Sequence, residues 1–282
     1  MIDFHVLNFR AAAVGGGFVE PQLFTYDGQM LSPTSVDGLG DSGPLTFLLH
    51  GFNVDWNAGW TTTRRFALLL EQVAPSLEGH IVAVLWPGDD RFSPLTYSLE
   101  ERDADETATR LSRTLTERIR PSQPIDLVAH SLGCRVALET MSRVAGSAVL
   151  VDRALLMAAA VDADALARPS RYRDAVQRAG RVFWLSSERD WVLRAAFPIG
   201  DLVASILFGG YTQSALGLVG PRAAKNPAAP IPSTVAGRLV SAFDVGHLDY
   251  LPGNEWPAGP KKRGAARYVA QVLEGTVDPS YP

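Results

Sequence analysis

The stretch Ile125 to Glu139, I-D-L-V-A-H-S-L-G-C-R-V-A-L-E, constrains the fold more than any other part of this chain. A short apolar run enters it, Ala129-His130-Ser131-Leu132-Gly133 turns it, and an amphipathic helical pattern leaves it. Strand, sharp turn and helix with a serine at the apex is the layout of a nucleophile elbow, where strain lifts the hydroxyl clear of a sheet. The positions two before and two after the serine must be small, because strand and helix nearly touch across the turn. Gly133 meets that requirement outright, and Ala129 stands where glycine is more usual.

An elbow needs a parallel sheet, and the flanking chain supplies the pattern for one. Apolar strands are expected at 45–49, 81–85, 125–129, 153–159 and 181–186, with a last one at 239–245. Helical patterns fall between them, at about 60–73, 94–120, from the elbow to 144, at 171–179, and finally at 263–273. Residues 2–10 and 18–26 read as two further strands joined by a tight connection, an antiparallel edge, and 32–44 as a polar loop. Strands alternating with helices predict an α/β fold, a mostly parallel central sheet with helices on both faces. Right-handed crossovers bring the carboxyl ends of such strands to one rim. His50, Trp86, Ser131, Asp162 and Asp190 all fall just past a predicted strand end.

The expected organisation is one domain over residues 1–282. Residues 197–236 mix apolar residues with Gly and Pro, as in F-G-G and N-P-A-A-P-I-P. That segment reads as an insertion or lid over the rim, with some helix near 201–207, or as a loop that patches the core.

The formal net charge of −4 gives no basic footprint, so no nucleic-acid partner is expected. The single cysteine, Cys134, excludes an intrachain disulfide and a thiolate metal cluster, and no metal or cofactor is expected. No run reaches the roughly 18 apolar residues of a membrane span. The opening M-I-D-F-H-V-L-N-F-R lacks the pattern of a signal peptide, so a cytoplasmic protein is expected.

A serine hydroxyl becomes a useful nucleophile when a base takes its proton and a carboxylate orients that base. In this topology the order along the chain is serine, acid, histidine. Of the five histidines, only His247 follows the elbow, in a Gly-flanked turn after the last predicted strand. Asp190 is the preferred acid, with Asp162 and Asp164 as competitors. His130 adjoins the serine and is expected to support it rather than act as base, and His50 to shape its own turn. Charge developing on a carbonyl oxygen calls for preorganised donors, expected from the N–H of Leu132 and, through the close approach Gly51 permits, the N–H of Phe52. His50, Trp86 and Trp191 are expected to line a substrate pocket.

The segments L-L-H-G-F-N, A-H-S-L-G, S-S-E-R-D and the late G-H together resemble the α/β-hydrolase superfamily, in its serine esterase branch with an H-G-F-N oxyanion loop. The resemblance spans about residues 45–273. It implies Ser131 as nucleophile, His247 as base, Asp190 as acid, and Phe52 with Leu132 as the oxyanion hole. The activity implied is hydrolysis of carboxylic esters of small or medium acyl chain, with a small-molecule ester as partner. Thioesterase, amidase or acyltransferase chemistry on the same triad is the alternative, and a non-catalytic member of the fold a further one. Ala129 is the one departure from the elbow pattern.

Overall fold

The computed structural model describes residues 2–11, 13, 16–39, 43–52, 54–88, 97–120, 123–169, 171–195, 214–225, 227–253 and 257–277. These residues form a nine-stranded sheet from β1 (Ile2–Arg10), β2 (Phe18–Tyr26), β3 (Leu31–Thr34), β4 (Leu45–Leu49), β5 (Gly79–Leu85), β6 (Pro124–His130), β7 (Leu150–Met157), β8 (Arg181–Ser186) and β11 (Val235–Leu239). Two two-residue strands, β9 (Ala224–Lys225) and β10 (Ala228–Ala229), make a separate hairpin. The order across the main sheet is β11-β8-β7-β6-β4-β5-β1-β2-β3. Every neighbouring pair from β11 to β1 is parallel, and β1-β2 and β2-β3 are antiparallel.

Helices α1 (Trp56–Val73), α2 (Tyr97–Arg118), α3 (Gly133–Val144), α4 (Arg173–Arg178), α5 (Leu216–Val219) and α6 (Pro260–Leu273) connect or close these strands. The pleat sorts each central strand onto two faces. Leu45, Phe47 and Leu49 of β4 and Ile125, Leu127 and Ala129 of β6 pack with Ala104, Ala108, Leu111 and Leu115 of α2 and Val136 of α3. Leu48 and Val128 point the other way, into Phe66, Leu69 and Leu70 of α1 and Ala266 and Val269 of α6. Strands buried on both faces carry little polar alternation, which is why β4 and β6 read as mainly apolar runs despite Thr46 and Asp126.

Local chemistry sets the helix limits. Asp55 caps α1 by accepting the Ala58 N–H at 2.9 Å, so that helix starts four residues before the expected position. Pro260 stands at the first position of α6, where a missing N–H costs nothing, so this helix too begins earlier than expected.

Two strands of the main sheet depart most from expectation. β3 lies in the expected polar loop: its Leu31-Ser32-Pro33-Thr34 is mostly exposed and held only by β2, so no apolar pattern announces it. The last strand runs over Val235–Leu239, not 239–245. Gly237 lets it lie against β8, since a Cβ there would sit 2.2 Å from the Trp184 carbonyl oxygen. The chain then turns away at Val240 into a 3-10 turn, Ser241–Phe243.

The expected segment 197–236 divides in two. Residues 197–213, including the expected helix near 201–207, lie outside the described residues. From 214 the chain packs on the ends of β7 and β8. Asp162 bridges Ala215, Leu216 is fully buried, and the Gly217 N–H donates to the Ala159 carbonyl at 2.9 Å.

At the opposite end of the sheet, Arg153 of β7 ties three elements together. Its guanidinium donates to Asp126 of β6 at 3.0 Å, to the Val272 carbonyl at 3.0 Å, and to the Leu273 carbonyl. Burial pushes the Asp126 carboxyl up to about 6, against the pull of Arg153. Replacing Arg153 by Ala leaves that buried carboxyl and the Leu273 carbonyl without their guanidinium donor, while the Val272 carbonyl keeps the Gly275 N–H. The expected loss of stability is on the order of 3 kcal/mol, measured by urea unfolding. A loss below about 1 kcal/mol would mean that this clamp does not hold α6 to the sheet.

Candidate active site

Ser131 leaves β6 with a φ of 55°, the left-handed region that costs a non-glycine residue on the order of 1–3 kcal/mol. Backbone bonds on both sides hold it there. The Ser131 N–H donates to the Met157 carbonyl at 2.9 Å, and its own carbonyl accepts from Cys134 at 3.1 Å and Ala160 at 3.2 Å. The neighbouring strand end is shaped to match: Ala158, just past β7, has a φ of 47° and donates its N–H to Leu185 of β8 at 3.0 Å. Gly133 is sterically required, since a Cβ there would stand 2.3 Å from the His50 carbonyl oxygen and 2.7 Å from that of Leu49. The small residue two positions after the serine is therefore set by β4, not only by β6.

The same approach from β4 brings in the loop His50-Gly51-Phe52. A Cβ on Gly51 would lie 2.8 Å from the Ser131 Cβ, so this loop lies directly against the elbow. His50 is buried and shapes the loop, as expected. Its Nδ1–H donates to the Gly51 carbonyl at 2.7 Å, and its Nε2 faces the Trp86 N–H at 3.4 Å. The Trp86 indole stacks on it at 5.3 Å and donates to the His50 carbonyl at 3.2 Å. With Trp86 fully buried and His50 1% exposed, both expected pocket residues turn into the core. Their side chains brace the loop from behind. Trp191, the third, is 69% exposed beside Asp190.

His247 begins a 3-10 turn, His247–Asp249, after β11. The Asp249 carboxylate accepts the Gly246 N–H at 2.8 Å, and the Asp249 N–H returns to the Gly246 carbonyl at 3.1 Å, closing that turn. The His247 Nε2 lies 3.0 Å from the Ser131 Oγ, and its Nδ1 lies 2.7 Å from the Asp190 Oδ2. The consistent proton arrangement has Nδ1–H donating to the carboxylate and Nε2 accepting from the hydroxyl.

Asp190 is fully buried just past β8. Its second oxygen, Oδ1, accepts the Leu193 N–H at 2.9 Å at the start of the helical residues 191–195. One carboxylate thus caps a helical turn through Oδ1 and faces an imidazole through Oδ2. Asp162 and Asp164, the competing acids, are both engaged by Arg168, Asp162 at 3.1 Å. The partner of the His247 Nδ1 is Asp190.

Of the two expected oxyanion donors, Leu132 directly follows Ser131, and Phe52 follows Gly51, where an added Cβ would lie 2.8 Å from the Ser131 Cβ. Leu132 opens the elbow helix, and among the described residues its N–H makes no hydrogen bond. Phe52 follows Gly51 on the loop pressed against the elbow, with its ring packed against the core. A strained hydroxyl, an oriented imidazole and main-chain N–H groups at a helix start are what acyl transfer requires: a proton acceptor beside the attacking atom and donors where negative charge develops.

His130, expected only to support, occupies a more defined place. Its Nε2–H donates to the His247 main-chain carbonyl at 2.9 Å, and its ring lies 4.9 Å from that of His247. Burial, with the nearby His247 adding to it, pushes its pKa down to about 3, so the ring is a neutral donor. No spacing rule finds this bond, because its ends are 117 residues apart.

Residues 47–279 match the model of a family described as the alpha/beta hydrolase family. No curated protein sequence is detectably similar to the chain. Among solved structures, an esterase from Pyrobaculum calidifontis is 16% identical over 94% of this chain and 84% of its own, with a TM-score of 0.45. An esterase called E25 is 14% identical over 93% and 77%, also at 0.45, and an esterase called PE8 is 13% identical over 86% and 96%, at 0.42.

Proposed function

This chain belongs to the alpha/beta hydrolase family, and on that premise we propose that it hydrolyses carboxylic esters of small or medium acyl chain through a covalent acyl-enzyme. The observation that carries the proposal is the unbroken row from Ser131 Oγ through His247 to Asp190, at 3.0 and 2.7 Å, on a strained elbow.

Ser131 Oγ attacks the ester carbonyl carbon while His247 Nε2 takes its proton. The Asp190 carboxylate, held by its bond from Leu193, stabilises the imidazolium and keeps Nε2 aimed at the serine. The carbonyl π electrons move to oxygen, where the N–H groups of Leu132 and Phe52 receive the charge. Collapse of this tetrahedral species expels the alkoxide, which leaves as an alcohol with the proton from His247. Water then repeats the sequence, giving its proton to His247 and its oxygen to the acyl carbon. The acid leaves, and Ser131 regains its hydrogen.

Two exposed apolar residues next in sequence to the acid and the base support an uncharged substrate. Trp191 follows the acid and Leu248 the base, each largely exposed beside a buried neighbour. The test is turnover of p-nitrophenyl esters graded from acetyl to dodecanoyl. Release of p-nitrophenol from the shorter members, and none with Ser131→Ala, is the expected result. Folded wild-type protein inactive on this series but active on a thioester or amide would move the proposal to the matching bond. Inactivity on every acyl donor would remove it.

A further inference from the structure

Consecutive residues hold His247 at two points. Ser131 meets its imidazole Nε2, and His130 meets its main-chain carbonyl. The His130 ring also lies 5.9 Å from that of Tyr250, so it sits between the first residue of the base-bearing turn and the residue just after it. Tyr250 is fully buried, whereas Leu248 between them is 72% exposed. The imidazole has one further tether, the Nδ1 bond to Asp190, and a ring held only there can pivot about that bond.

We propose that His130 is a positioning residue whose Nε2–H bond to the His247 carbonyl locks the base-bearing turn to the elbow and sets the reach from imidazole to serine hydroxyl. The inference rests on the ester-hydrolase reading of this site. A donor is needed because a carbonyl only accepts, and the ring must stay uncharged because it packs against the imidazole that becomes cationic during turnover. The grip is economical in sequence: the residue beside the nucleophile fixes the base, so any movement of the elbow carries both.

Three variants separate the bond from the bulk. His130→Leu keeps most of the volume without a donor. His130→Gln keeps an amide donor near the Nε2 position, and His130→Asn places one too short to reach. With p-nitrophenyl acetate, and urea unfolding to establish that each variant is folded, His130→Leu is expected to lower kcat about 10²-fold with KM within about twofold, the scale of an ångström-sized misplacement. His130→Gln is expected to recover most of that loss. Should the leucine variant fail to fold, Gln against Asn decides, with Gln faster by about tenfold or more in the same geometric sense.

A donor-free variant as fast as wild type, a Gln variant as slow as the donor-free ones, or a loss confined to KM overturns the inference. The rate at which a fluorophosphonate labels Ser131 provides a second readout. If wild type labels there but cleaves no ester, the ester reading fails and the comparison proceeds on labelling rates. If wild type cleaves esters and His130→Leu matches it, only the positioning role fails.

Discussion

Ser131→Ala is expected to lower kcat for a p-nitrophenyl ester on the order of 10⁵- to 10⁶-fold and to leave the fold intact. The size follows from the mechanism: without Oγ there is no covalent path, and what remains is the contribution of the oxyanion donors and of binding to attack by water. The fold survives because what holds the elbow is backbone: Ser131 N–H to Met157, and its carbonyl to Cys134 and Ala160. Alanine keeps all three bonds. It is also tolerated sterically, since the contact closest to Gly51 involves the Ser131 Cβ, which alanine retains. Activity within tenfold of wild type would assign the nucleophile elsewhere.

Asp190→Asn is expected to lower kcat by about 10⁴-fold, from loss of the tautomer rather than of shape. The carboxylate faces two donors, Leu193 N–H at Oδ1 and His247 Nδ1–H at Oδ2. An amide can keep the first through its oxygen. It then presents an NH₂ to Nδ1, which must accept, so the proton moves to Nε2 and the imidazole no longer takes one from Ser131. Because Asp190 is fully buried with its size nearly unchanged by this exchange, unfolding midpoints should move far less than activity does. Full activity in Asp190→Asn together with loss in Asp162→Asn would return the role to the Arg168-paired carboxylate.

The contrast between these residues and the misread ones explains what a sequence can carry. β4 and β6 announce themselves because strands buried on both faces are mostly apolar, whereas β3 is largely exposed, four residues long and interrupted by Pro33. β11 was displaced toward the more apolar 239–245 because its true course depends on Gly237 lying against Trp184, a contact with a strand more than fifty residues earlier. Ser131, Asp190 and His247 could be listed as a set because strand ends share a rim. Their distances could not be read, since those depend on how β6, β8 and the turn after β11 are packed. His50 and Trp86 also lie at strand ends, and nothing in their spacing says whether an aromatic ring there faces the cleft or the core. Their stacking on each other decides that they brace the loop. The Arg153 clamp and the His130 bond are invisible for the same reason: each joins residues brought near only by the finished sheet.

The most direct measurement is the site of covalent capture. Wild-type protein treated with a fluorophosphonate ester and digested should carry one adduct per chain, on the peptide containing Ser131, and Ser131→Ala should carry none. An adduct on another residue, or no adduct on folded wild-type protein, would contradict the account.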